Sequence, residues 1–225
     1  MSESPPEPPV HETAPPALPI EEADRPFFPG LLDTIKLFAL DPMGGYSRMS
    51  LEIDLTKPLL YGLIVAWLGT FVQFLWSLVI QSSILGALSQ IEGMQEVLPA
   101  MFFGVAGGMF GLFLAPVFIL IGVFIWTAIV HLFLMMVGGA NQGFTATLRV
   151  VLYSQTAQVA QVIPLFGDLV ATLWGLILCI IGIAAAHRTT TGKAAAAVLL
   201  PILLCCVCIG MAIMMAVMLG VALDS

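Results

Sequence analysis

Apolar residues run along most of this chain, and the polar ones come in blocks. No Asp, Glu, Lys or Arg falls between Lys57 and Glu92, between Glu96 and Arg149, between Asp168 and Arg188, or between Lys193 and Asp224. Each interval can hold a helix of about 20 residues, the length that crosses a hydrocarbon core of roughly 30 Å. The ten-residue alternation of a transmembrane barrel is absent, so the pattern predicts helices. Spans are expected at 59–80, 115–137, 169–186 and about 198–221. Pro58 suits the start of the first, and Tyr61 and Trp76 lie near its ends, as interfacial aromatics do. The apolar stretch from Val97 to Gly139 exceeds forty residues, too long for one helix of ordinary length. Residues 98–113 are therefore expected as an interfacial or re-entrant helix. Gly104, Gly107, Gly108 and Gly111 form small pairs four apart that favour close helix contact.

Residues 138–164, "GGANQGFTATLRVVLYSQTAQVAQVIP", break the pattern with an arginine, a tyrosine and three glutamines. As a loop, this run leaves four spans and puts Arg149 across the membrane from Arg188 and Lys193. As a crossing, it gives five spans, with Arg48, Lys57, Arg149, Arg188 and Lys193 on one side and Glu92, Glu96, Asp168 and Asp224 on the other. Short loops rich in lysine and arginine stay cytoplasmic, so the crossing is preferred, with the N-terminus cytoplasmic and the C-terminus outside. The expected fold is all-α, a polytopic membrane helix bundle of about five transmembrane helices. From Phe144 to Ile163 the run has 20 residues, or about 30 Å as an α-helix. At 100° per residue Thr147, Ser154, Gln155, Gln158 and Gln161 share one arc, expected to face other helices, a partner or a hydrated cavity rather than lipid. Arg149 is expected to snorkel to the headgroups. Asp168 is expected to cap the next helix, and His131 to be an interfacial hydrogen-bonder.

Composition agrees with a membrane protein: 60% of residues are apolar and 9% charged, against about a quarter charged in soluble domains. The net charge of −7 is mostly local. Residues 1–26 hold six carboxylates against Arg25, together with eight prolines, and read as a disordered, solvated cytoplasmic tail. Residues 27–57 follow as an amphipathic juxtamembrane segment, with Leu31, Leu32, Ile35, Phe38 and Ala39 at helical spacing. It should lie on the membrane surface or pack on the bundle. Residues 58–225 form the membrane domain.

Candidate chemistry is sparse. The four cysteines lie in apolar runs without ligand-spaced histidines or carboxylates, and are expected as buried small side chains. No H-E-x-x-H pattern exists, Ser154 has no evident base, and "TTTGKA" departs from a phosphate loop because Ala194 follows the lysine. No catalytic residue, cofactor site or metal site is assigned, and the acidic balance gives no support to nucleic-acid binding.

The layout resembles the Yip family (Ypt-interacting proteins), in its bacterial form. The likeness begins at "LLDTIKLFALDP" and "KPLLYGLIVAWLG" and is strongest from 137 to 201. It is carried there by Gly138, Gly139, Phe144, Thr147, Arg149, Tyr153, Pro164 and Gly167, and by His187, Gly192 and Lys193 of an H-x-x-x-x-G-K-A turn. The chain departs from the family at Ala157, where a proline is common. It also lacks the aspartate-tyrosine-glycine-proline motif of eukaryotic members, so binding to Rab-type GTPases is not carried over. The resemblance implies a five-helix membrane domain with a cytoplasmic amino end, in the inner (plasma) membrane of a bacterium. The expected function is a non-enzymatic scaffold or adaptor, with a small transporter or channel using the polar face of 145–163 as the alternative. Partners expected are the lipid bilayer, a protein at the cytoplasmic side and a second copy of the chain.

Overall fold

A computed structural model describes residues 17–51, 54–88 and 97–223. The regular elements among them are helical: α1 (Phe27–Leu40), α2 (Pro42–Ser47), α3 (Thr56–Leu88), α4 (Val97–Met136), α5 (Gly143–Ser154), a 3₁₀ helix η1 (Gln155–Val162), α6 (Gly167–Ala186) and α7 (Thr191–Leu223). Helices α3, α4, α6 and α7 are long and apolar enough to cross a bilayer, over Thr56–Ile84, Gly104–Met136, Gly167–Ala186 and Thr191–Met218. Backbone groups satisfied inside each helix are what a hydrocarbon solvent demands. The protein is an all-α polytopic membrane bundle.

The fifth crossing is α5 and η1 end to end. Twelve α-helical and eight 3₁₀ residues reach about 34 Å at 1.5 and 2.0 Å per residue. Both ends of this run meet α6. Thr147 Oγ1 lies 2.9 Å from His187 Nε2, just past the C-terminus of α6, while Gln161 Nε2 lies 2.7 Å from Asp168 Oδ1 at its start. The run and α6 are therefore antiparallel and of similar reach. Helix α3 lies alongside in the same direction as the run: Gly62 packs on the backbone of Leu152, and Gly69 on that of Gln158. Helix α4 runs against α3, with Trp67 Nε1 donating to Leu112 O at 3.2 Å.

This topology gathers all seven lysines and arginines of the chain at one end of the bundle, here called the basic end. Asp168 lies at the opposite end. Glu92, Glu96 and Asp224 fall outside the described residues.

Several expectations change. The two segments expected at 98–113 and 115–137 merge into one helix of 40 residues, Val97–Met136, with Pro116 inside it. A break in lipid would expose backbone groups that no water can satisfy, so the glycines and the proline are absorbed. Gly104, Gly107 and Gly111 meet nothing within 4 Å, while Gly108 meets Phe74. Part of the segment expected as a solvated tail over 1–26 packs on the bundle. Residues 17–26 are described, and Leu18 and Ile20 are buried against the bundle; residues 1–16 fall outside the described residues. Helix α1 buries Leu31, Thr34 and Phe38 in the bundle and turns Phe28, Leu32 and Leu40 outward. Of the cysteines only Cys179 is buried; Cys205, Cys206 and Cys208 lie on the outer face of α7.

Candidate functional site

The basic end is a buried polar and aromatic block. Arg149 does not snorkel. Its side chain is wholly buried, and Nη1 donates to Glu21 Oε1 at 2.8 Å, with Glu21 equally enclosed. Tyr153 OH donates to the same oxygen at 2.6 Å, and Arg149 Nη2 reaches Asp54 O at 3.1 Å. Two donors on one carboxylate oxygen compensate the charge that burial would otherwise penalise. Lys57 Nζ reinforces the arrangement by donating to the carbonyls of Glu21 and Glu22. Around it, Tyr153 stacks on Phe38 at 5.0 Å and packs at a tilt against Tyr61 at 5.1 Å. Segment 17–26 is thereby strapped across α3 and α5.

A second chain of hydrogen bonds ties α4, α5 and α6. The backbone N–H of Gln142 donates to His187 Nδ1 at 3.2 Å. That nitrogen must accept, so the neutral ring carries its proton on Nε2 and donates to Thr147 Oγ1, 2.9 Å away. The Thr147 hydroxyl then donates to His131 Nδ1 at 2.8 Å. Burial, with His131 nearby, pushes His187 down to about 4. Asn141 Nδ2 on His187 O and Lys193 Nζ on Gly138 O, at 3.0 and 2.9 Å, lock the α4–α5 and α6–α7 turns together. Gly138 has φ +65°, which a side chain would strain.

Towards the other end the polarity opens into a recess. Hydroxyls and an amide of the run take backbone acceptors: Ser154 Oγ and Gln155 Nε2 bond to Val151 O, at 2.8 and 3.2 Å, and Thr156 Oγ1 to Tyr153 O at 2.7 Å. These carbonyls would otherwise accept from residues 155 and 157. Competition of this kind favours the tighter i to i+3 ladder, and η1 begins at Gln155. In a 3₁₀ helix residues three apart eclipse. Gln155, Gln158 and Gln161 therefore form a straight row rather than a spiral. The row lines a cavity of about 400 Å³ together with Thr70, Gln73 and Asp168. Asp168 does not cap α6, which has no side-chain cap. Its two carboxylate oxygens instead accept from Gln73 Nε2 at 2.6 Å and Gln161 Nε2 at 2.7 Å.

The five residues expected on one polar face thus divide. Gln155, Gln158 and Gln161 share the cavity, Thr147 joins the two histidines, and Ser154 bonds its own helix. The positions carrying the family likeness mostly build the frame. Phe144 sits edge-on to His131, Pro164 O accepts from Phe166 N in the turn into α6, and Gly167 admits the backbone of Ala160. Gly192 meets nothing within 4 Å. Sequence reasoning missed Glu21, Thr70 and Gln73 as site residues. Glu21 is 128 residues from Arg149, and its sole signal was the apolar pair Leu18 and Ile20 beside it. Thr70 and Gln73 lie three apart on α3, a weak sign of a shared face. Among the described residues no cluster of three or more His, Cys, Asp or Glu could hold a metal.

A search of curated proteins and one of solved structures give no match. The model of the Yip1 domain matches residues 36–214, which takes in every element from the end of α1 to most of α7. The chain belongs to the Yip1 domain family of integral membrane proteins.

Proposed function

We propose that the protein is a non-enzymatic scaffold that holds partner proteins at the cytoplasmic face of a bacterial inner membrane. The supporting observation is the buried clamp of Glu21 by Arg149 and Tyr153. It fixes segment 17–26 to the basic end, which the lysine and arginine rule makes cytoplasmic. At the same end α1 turns Phe28, Leu32 and Leu40 outward, and Met43 of α2 is exposed beside them. An exposed apolar helix face at the end where the acidic, proline-rich N-terminal sequence is attached suits recruitment better than chemistry.

The cavity on η1 supports a second reading, a small transporter. Against a through-path, the basic end of the same helices is filled by Val130, Leu134, Leu148 and Val150, all buried. A photo-crosslinking residue at Leu40 and, separately, at Gln158 tests both in native membranes. The scaffold predicts one reproducible heterologous protein at Leu40 that also co-purifies in the reciprocal direction. Only lipid and self-adducts at Leu40, with solute flux in reconstituted vesicles, would replace it by the transporter.

A further inference from the structure

We infer that the cavity between α3, α4, η1 and α6 is a binding site for an ammonium group, with Asp168 as its counter-charge. All seven lysines and arginines lie at the basic end, and none of the ion pairs among the described residues involves Asp168. Arg188, at the far end of α6, is 20 residues away, or about 30 Å along the helix. The carboxylate is held by two amide donors, Gln73 and Gln161. Those bonds orient it without neutralising it, and it borders both the 400 Å³ cavity and a smaller one of about 260 Å³ that also contains Gln73 and Gln161. It is exposed at the start of the 20-residue span of α6; a span of that length brings its ends to the headgroups, where a charge is less screened than in water.

The rest of the lining fits the same ligand. Trp126 lines the inner end of the same cavity. The eclipsed amides of Gln155, Gln158 and Gln161, with Thr70, supply donors and acceptors for a polar body attached to the ammonium. The volume lies in the range of small-molecule sites. A positive end and a hydrogen-bonding body describe a lipid amine headgroup such as phosphatidylethanolamine, or a free amine of the same chemistry. The site stands independently of the scaffold and transporter readings, because it is tested by occupancy rather than by partner capture or flux.

The full chain, wild type and Asp168→Asn, is placed in nanodiscs containing equal phosphatidylethanolamine and phosphatidylglycerol, and the lipids retained on release are counted by native mass spectrometry. Melting midpoints with added ethanolamine or ethylene glycol are read in nanodiscs of phosphatidylglycerol alone. A wild-type preference for phosphatidylethanolamine of about tenfold, worth about 1.4 kcal/mol, that falls to parity in Asp168→Asn supports a lipid ligand. A midpoint raised by ethanolamine but not ethylene glycol, in wild type alone, supports a free amine. Neither effect, or either one undiminished in Asp168→Asn, overturns the site. Should Asp168→Asn not fold, Gln158→Leu and Thr70→Val, which keep the charge but remove lining polarity, are read by the same criteria.

Discussion

Replacing Glu21 by alanine should unfasten the strap and leave the bundle folded. The side chains of Glu21 and Arg149 have no exposure, and their pairing is at 2.8 Å. Removing one member of such a buried pair costs about 3–5 kcal/mol when the other stays buried. Here it need not stay buried, because Glu21 belongs to a peripheral segment. Burying Leu18 and Ile20 contributes roughly 1.5–3 kcal/mol each. Ordering residues 18–22 costs about 1–2 kcal/mol per residue, which offsets that burial. The Glu21 carboxylate, with the Lys57 contacts and the bond from Ile20 N to Thr34 Oγ1 at 3.0 Å, therefore decides whether the strap stays down. Without it, lifting the strap to hydrate Arg149 is the cheaper outcome.

Hydrogen exchange in nanodiscs reads this directly. In wild type the amides of residues 20, 21 and 22 donate to Thr34 Oγ1, Leu18 O and Leu18 O. In Glu21→Ala their protection should fall about 100-fold or more, equivalent to losing roughly 3 kcal/mol, while amides in the middle of α6 are unchanged. Arg149→Met should release the same strap, because the carboxylate it abandons can also reach water. The double variant should then be no worse than the more severe single one. Unchanged protection at 20–22 in Glu21→Ala, or single-variant costs that simply add in the double, would refute the clamp.

Thr147→Val removes the hydroxyl between His131 and His187 and should cost about 1–3 kcal/mol in detergent unfolding, whereas Thr147→Ser should recover most of it. His187 is held neutral down to about pH 4, against 6.5 for a free histidine. Its contribution is complete above pH 6.5. It is lost as pH falls towards 4, where the unfolded chain takes a proton that the folded one refuses. The melting midpoint should drop across that window, and His187→Gln should flatten the drop. A Cβ on Gly167 would lie 2.9 Å from Ala160 O, so Gly167→Ala should destabilise by about 1–3 kcal/mol. Gly104→Ala meets open space and should be neutral or stabilising by up to about 1 kcal/mol; the paired melting curves give the comparison.

The crossing of 143–162 was legible because loop charge decides it: Arg149, Arg188 and Lys193 can share a side only if the polar run spans. The partner of Arg149 was not. A guanidinium near a helix end reads as a snorkelling side chain unless a distant carboxylate is brought to it, and nothing local to Glu21 specifies that. The glutamine row was half legible. A period of 100° grouped Thr147 and Ser154 with Gln155, Gln158 and Gln161, but the hydroxyls of Ser154 and Thr156 bond carbonyls three residues back and change the period to 120° where the glutamines begin. The residues that made the stretch look polar are the ones that altered its helix. The same trap hid Asp168. A carboxylate in a helix's first turn is ordinarily spent on capping, and only the arrival of Gln73 from α3 shows otherwise.

The distribution of charge links orientation to the site. Inserting with one end cytoplasmic requires lysine and arginine to gather there, and the five crossings place all seven of them at that end. Carboxylates at the same end can be neutralised within the chain, as Glu21 is by Arg149 and Asp33 by Arg25. A carboxylate at the opposite end has no such resource. Asp168, exposed in the first turn of α6, has amide donors and the positive end of the helix dipole but no lysine or arginine, so the rest of its compensation comes from water, a headgroup or a ligand. A chain that needed that helix start only for stability could use a serine or asparagine there at less electrostatic cost. The retained charge borders two cavities and is steadied by two glutamines, which places it where a cationic ligand would add the one compensation the chain itself does not bring to this end.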